Sequence, residues 1–168
     1  LRKMNNTVDW VIPMCGDGSR TKSRGKFKPL CKVNNCFIFE HFIKLMSIHI
    51  QKNDRLILII REDHEKEFDA SIQLCKIINK YINTIEVKSI IVKGKTTGPV
   101  DTLTHSIDIL KDDSIIAIVN PDQIIDFKWP EIIDQSSLYL SIGFNCDGNS
   151  SYVKISKSGL IEDIVEKE

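Results

Sequence analysis

Five consecutive aliphatic residues, Leu56-Ile-Leu-Ile-Ile60, stand between Arg55 and Arg61. A strand with one wet face alternates apolar and polar residues, and this run does not alternate. It reads as a strand buried on both faces, the kind found in parallel sheets covered by helices on either side. Ile115 to Val119 is a second such run. Neither approaches the roughly 20 apolar residues that a membrane-spanning helix needs.

The neighbouring segments support a parallel sheet. Asp9 to Met14 reads as a first strand, through Trp10, Val11 and Ile12. Ile38 to Ile50 carries Ile38, Phe42, Leu45, Met46 and Ile50 at helical spacing. Glu62 to Ile82 reads as a second helix with Phe68, Ile72, Cys75 and Ile78 or Ile82 on one face. Glu86 to Val92 is the next strand. Asp101 to Leu110 is a third helix introduced by Gly98-Pro99, and Ser114 to Val119 a fourth strand buried on both faces. Beyond Pro130 the pattern becomes strand-rich, with Leu138 to Phe144, Tyr152 to Ile155 and Leu160 to Val165 separated by turn residues at 145–151 and 157–159. Strand-helix alternation followed by extra strands predicts a mostly parallel sheet with mixed additions. Residues 1–168 read as one domain with a frayed stretch over residues 1–6.

Composition narrows the function classes. Lys plus Arg and Asp plus Glu both number 23, giving zero formal net charge. That balance argues against a nucleic-acid-binding domain, which is usually basic. Cys15, Cys31, Cys36, Cys75 and Cys146 form no CxxC pair and no zinc-ligand spacing. They read as free thiols of a cytoplasmic protein. No signal peptide or membrane partner is expected.

The chemistry concentrates after the first strand, in Val11-Ile-Pro-Met-Cys-Gly-Asp-Gly-Ser-Arg20 and then Lys26-Phe-Lys-Pro-Leu30. A glycine-rich turn there lies at the carboxyl edge of the sheet, where open α/β folds bind ligands. Gly16 and Gly18 let backbone N–H groups approach a phosphate chain. Arg20 offers a planar fork of donors, and Lys28 a compact positive charge. The stretch is not a P-loop, because no Gly-Lys-Ser/Thr follows. It is not the dinucleotide fingerprint either, because Thr21 stands where the third glycine belongs.

These residues resemble the sugar-phosphate nucleotidyltransferase family, the nucleotide-sugar pyrophosphorylases and their relatives, whose members open with a strand, Gly-x-Gly-Ser/Thr-Arg and a Lys-Pro segment. Lys95-Thr-Thr-Gly98-Pro-Val-Asp-Thr-Leu103 is similar to the segment opening the family's third helix, and Val119-Asn-Pro-Asp-Gln123 to the one closing its fourth strand. Ser151-Tyr-Val-Lys154 and Ile164-Val-Glu-Lys167 resemble later segments. The sequence departs from the pattern at Cys15, where the family usually has Ala, and at the second lysine of the Lys-Pro segment, which is missing. Family members usually continue past Glu168, so the resemblance implies a chain truncated at its C-terminal end.

The resemblance implies an α/β fold, a Rossmann-like three-layer sandwich with a mostly parallel mixed sheet of the nucleotide-diphospho-sugar transferase (GT-A-like) type. It implies that an NTP is joined to a sugar-1-phosphate or related phosphorylated metabolite, with release of pyrophosphate, for surface or capsular glycan precursors. Arg20 and Lys28 would be catalytic. Met14, Cys15, Gly16, Asp17, Gly18, Ser19, Thr97 and Gly98 would bind nucleotide, with the Asp17 side chain turned away from phosphate. Asp122 would bind Mg²⁺, and Lys154, Glu166 and Lys167 would face the acceptor. A catalytically weak nucleotide or nucleotide-sugar binding module on the same fold is the alternative. A metal-dependent glycosyltransferase fits less well, because it has no triphosphate to clamp. His41 and His49 read as a polar helix face, His64 as a helix-start residue, and Arg61 to Glu67 as a solvated charge run. His105 has no required role, since a phosphate nucleophile is already anionic.

Overall fold

The computed structural model describes residues 7–17, 27–123 and 152–165. The chain groups into two compact units, Leu1–Glu131 and Ile132–Glu168. In the first, strands β1 (Val8–Met14), β4 (Arg55–Arg61), β5 (Glu86–Val92) and β6 (Ile115–Ile118) form a sheet of order β5-β4-β1-β6. All three pairings are parallel. The strand order reverses beside β1, with β4 on one side and β6 on the other. A Rossmann-like sheet with this reversal opens a crevice at the carboxyl ends of the strands.

The two faces of the sheet bury different residues. Trp10, Ile12, Met14, Leu56, Leu58 and Ile60 point to one side. They meet helix α1 (Ile38–Met46) through Phe39, Phe42 and Ile43, and helix α3 (Ala70–Tyr81) through Leu74, Ile77 and Ile78. Val11, Cys15, Ile57, Ile59 and Val92 point to the other side, with Leu103 of helix α4 (Pro99–Thr104) and Ile109 and Leu110 beyond it. Helices on both faces make the three layers that the apolar run at Leu56–Ile60 required. Each fully buried aliphatic side chain contributes roughly 1.5–3 kcal/mol.

Buried polar groups fasten the amino ends of the strands. Arg55 donates to both carboxylate oxygens of Asp9, at 2.7 and 2.5 Å, and to the carbonyl of Ile109 at 2.9 Å. Asp54 accepts from Val8 N, Trp10 Nε1 and Gln51 N. These bonds satisfy carboxylates and a guanidinium that would be costly to bury unpaired.

Several boundaries differ from the sequence reading. The segment 62–82 is two helices, α2 (Glu62–Phe68) and α3, because Asp69 adopts a left-handed conformation at φ 48°. Asp tolerates that region better than most residues. The break changes which residues face inward: Leu74 and Ile77 are buried, whereas Ile72 is half exposed. Glu65 secures the junction by accepting from Ser71 N and Oγ at 2.8 and 2.6 Å. Helix α4 stops at Thr104, where Thr104 and Ser106 hydroxyls bond the carbonyls of Asp101 and Leu103. β6 is not buried on both faces. Ile115, Ala117 and Val119 pack on the α1–α3 side, while Ile116 and Ile118 are half exposed at the rim of the described sheet.

Two short strands, β2 (Lys32–Val33) and β3 (Cys36–Phe37), form a hairpin turned by Asn34 and Asn35, both at positive φ. In the second unit, β7 (Tyr152–Ile155) and β8 (Ile161–Val165) pair antiparallel. The expected strand Leu138–Phe144 lies outside the described residues. Cys15, Cys31, Cys36 and Cys75 are free thiols, and Cys146 also lies outside. No helix among the described residues is long and apolar enough to cross a membrane.

Candidate functional site

A cleft of about 460 Å³ opens at the carboxyl ends of the strands, at the reversal of strand order. β1 delivers Met14, Cys15, Gly16 and Asp17 to it, and β4 delivers Arg61. The β5–α4 loop supplies Lys95, Thr96 and Gly98, and the turn after β6 supplies Asn120 and Asp122. Lys28 comes from a single 3-10 turn, Lys28–Leu30.

Local packing explains why Lys28 is there. Phe27 before it is buried and stacks near His64 and Phe68, with ring centroids 4.7 and 6.1 Å away. Pro29 after it is buried too and starts the turn with a fixed φ. Between these two anchors the lysine reaches across the cleft, and its Nζ donates to Asp122 Oδ2. The Asp122 turn is held by Gln123 N to Asn120 O, and by Asn120 Nδ2 to Gln123 Oε1.

Gly16 and Gly98 carry no internal packing requirement. Among the described residues, a Cβ built at either position meets nothing within 4 Å. Both glycines line the cleft, so the volume their missing side chains leave belongs to the cleft itself. Cys15, next to Gly16, is different. Its buried thiol donates to Ile59 O, and burial pushes its pKa up to about 11. It is a small packing residue and no nucleophile.

A second charged group sits beside the first. Arg61 is 7% exposed, so the reading of 61–67 as a solvated run fails at its first residue. Its Nε and Nη2 bond both oxygens of Asp63 at 2.6 and 2.8 Å, and its Nη1 bonds Asp17 Oδ1. Lys95 Nζ bonds Asp17 Oδ2 at 2.9 Å. Lys95 first, and then Arg61, hold the Asp17 carboxyl below the usual carboxylate range. Arg61 is itself held above its ordinary value, chiefly by Asp63. His64 is buried rather than capping at the surface, and its Nε2 accepts from Arg61 Nη2 at 3.3 Å. Burial and the nearby guanidinium lower its pKa, so the ring is neutral.

Of the residues singled out in the sequence, Met14, Cys15, Gly16, Asp17, Lys28, Gly98 and Asp122 line this one cleft. Thr97 is not among the residues lining it; its N and Oγ1 donate to Asp101 Oδ2 at 2.7 and 3.1 Å. Thr96 and Thr102 are the threonines on the cleft wall. Gly18, Ser19, Arg20, Glu166 and Lys167 lie outside the described residues. Lys154 belongs to the hairpin of the second unit, paired with Glu162 at 3.4 Å. Sequence reasoning gave no role to Arg61 or Lys95. A lone cation ending a fully apolar parallel strand is the signal that marks Arg61, since that position is the ligand edge of the sheet.

The fit of Mg²⁺ depends on the donor set. No group of three His, Cys, Asp or Glu side chains among the described residues could cage an ion. Asp122 supplies one hard oxygen donor beside the cleft, which suits a cation that brings phosphate and water oxygens with it.

The fold is similar to that of two solved structures. One is the nucleoside-diphosphate-sugar pyrophosphorylase from Vibrio cholerae RC9, with a TM-score of 0.72 and 21% sequence identity, covering 95% of this chain and 67% of that one. The other is UDP-glucose pyrophosphorylase complexed with UDP-glucose, with a TM-score of 0.63 and 14% identity, covering 96% of this chain and 69% of that one. No protein-family model matches the chain, and no curated protein matches its sequence. At these identities the likeness is one of fold.

Proposed function

We propose that the cleft binds an NTP and a phosphorylated small molecule, such as a sugar-1-phosphate, and joins them with release of pyrophosphate. The observation that carries this reading is the convergence of Gly16, Lys28 and Asp122 from three separate segments on one cleft at the strand-order reversal. The fold shared with two pyrophosphorylases supports it.

In this reading an oxygen of the acceptor's phosphate attacks the NTP α-phosphorus. The bond from that phosphorus to the bridging oxygen breaks, and pyrophosphate leaves with the electron pair. No base is needed, because the nucleophile is already an anion. The step depends on positioning and charge stabilisation. Lys28 exchanges Asp122 for the α-phosphate and neutralises the charge that develops there. Gly16 leaves room for the phosphate chain to approach the backbone. Arg20 is assigned to the β- and γ-phosphates from the sequence motif. Mg²⁺, when bound by Asp122, supplies charge neutralisation to phosphate oxygens. A role in surface or capsular glycan precursor synthesis belongs to the same proposal.

A second reading, nucleotide binding without turnover, is favoured by the lack, among the described residues, of three His, Cys, Asp or Glu side chains grouped to hold a cation. Pyrophosphate release separates the two. The chain is incubated with each NTP, Mg²⁺ and a panel of sugar-1-phosphates. Release that requires both substrates and disappears in Lys28→Ala supports transfer. Binding without release under all combinations supports the module.

A further inference from the structure

We propose that Lys95 is a phosphate-binding residue of this cleft, and that Asp17 is the positioning residue that holds it there. The inference rests on the nucleotide reading of the cleft given above.

The donor inventory of Arg61 separates the roles. A guanidinium has five N–H donors. Here Nε serves Asp63 Oδ1, Nη2 serves Asp63 Oδ2 and His64 Nε2, and Nη1 serves Asp17 Oδ1 and the Cys15 carbonyl. All five are used inside the protein, and the residue is 7% exposed. Arg61 has nothing left to offer a ligand. What it does is fix one oxygen of Asp17. The other oxygen, Oδ2, takes Lys95 Nζ at 2.9 Å.

Lys95 is built for the opposite purpose. Its side chain is 74% exposed, and it lines the cleft. An ammonium has three donors, and among the described residues Asp17 takes one of them. Gly94, at φ +76°, turns the chain immediately before it, a conformation that disfavours any residue with a side chain. A flexible lysine in open solvent loses side-chain entropy when it binds a ligand. The buried Arg61 and the carboxylate it orients remove part of that loss beforehand, and leave two ammonium donors for a phosphate oxygen.

The test measures dissociation constants by calorimetry for the Mg²⁺–NTP complex and for inorganic tripolyphosphate. The proteins are wild type, Lys95→Gln, Asp17→Asn and the double variant, with Lys28→Ala as reference. Thermal melts confirm folding, which exposed substitutions should leave intact. Lys95→Gln is expected to weaken both ligands about tenfold, the loss of one charge-assisted bond. Asp17→Asn should weaken them less, and should add little in the Lys95→Gln background, because it acts through Lys95. If Lys28→Ala weakens binding while Lys95→Gln matches wild type, the cleft reading stands and the role of Lys95 is wrong. If Asp17→Asn tightens binding, Asp17 competes with the ligand and the positioning role is wrong. If wild type binds neither ligand, both fall together.

Discussion

Lys28 Nζ donates to Asp122 Oδ2, joining side chains 94 positions apart across the mouth of the cleft. Their side chains are 43% and 34% exposed, so neither is committed to the core. Under the proposed function, a nucleotide with a bound cation would present the complementary pair of charges, phosphate for Lys28 and metal for Asp122. The ion pair would then hold both side chains ready at little cost to stability.

Lys28→Ala should separate chemistry from folding. An exposed ion pair is worth about 0–1 kcal/mol, so the melting temperature should move by no more than about 2–4 °C. The transfer rate should fall roughly 100- to 1,000-fold, by analogy with loss of a donor to a developing oxyanion. Parallel melts and rate assays check both halves. A large loss of stability with unchanged rate would make Lys28 a structural residue.

Gly16→Ala and Gly98→Ala test whether the two glycines leave space for a ligand. Among the described residues, a Cβ meets nothing within 4 Å at either position. Unfolding in urea should show unchanged stability, or a gain of about 0.4–1 kcal/mol from the stiffer unfolded chain. NTP binding should nevertheless weaken. Two destabilised variants with full affinity would refute the reading.

His64 should make stability depend on pH. Its folded pKa lies below the ordinary 6.5, first because burial disfavours the charged ring and then because Arg61 repels it. Below about pH 6.5 the unfolded chain takes up a proton that the folded chain does not. The stability contribution is thus complete above pH 6.5 and is lost as pH falls from there toward the folded value. Urea midpoints between pH 7.5 and about 5 should drop more steeply for wild type than for His64→Gln. Parallel curves would contradict the assignment.

Asp9→Ala should damage the fold without touching the ligand edge. It leaves the buried Arg55 guanidinium without the carboxylate it bonds twice, and removes the acceptor for Lys111 N. Breaking a buried pair costs about 3–5 kcal/mol. Equilibrium unfolding gives that number directly. At a temperature where the variant remains folded, NTP affinity should match wild type.

Much of this was legible in the residues, for definite reasons. The run Leu56–Ile60 has no polar alternation, so only a doubly covered strand satisfies it, and the structure buries every residue of β4. Lys28 was legible because Pro29 and the glycine-rich turn travel with it in the motif. The helix break at Asp69 was not, since left-handed backbone leaves no mark on hydrophobic periodicity, and the inward face of α3 moved with it. Arg61 looked solvated because Glu62, Asp63 and Glu65 follow it in sequence; its burial depends on Cys15 and Asp17, which only the fold brings near. Ile116 and Ile118 looked like core because a run of aliphatics does not reveal which strand will stand at a rim.

The most direct test of the central claim is a calorimetric titration of the chain with each of the four NTPs, with and without Mg²⁺, beside Lys28→Ala and Asp122→Ala. The account predicts Mg²⁺-assisted binding of a nucleotide, weakened by Lys28→Ala and stripped of its Mg²⁺ dependence by Asp122→Ala. Absence of binding for every NTP at about 1 mM, an affinity worth about 4 kcal/mol, or binding indifferent to both substitutions, would contradict it.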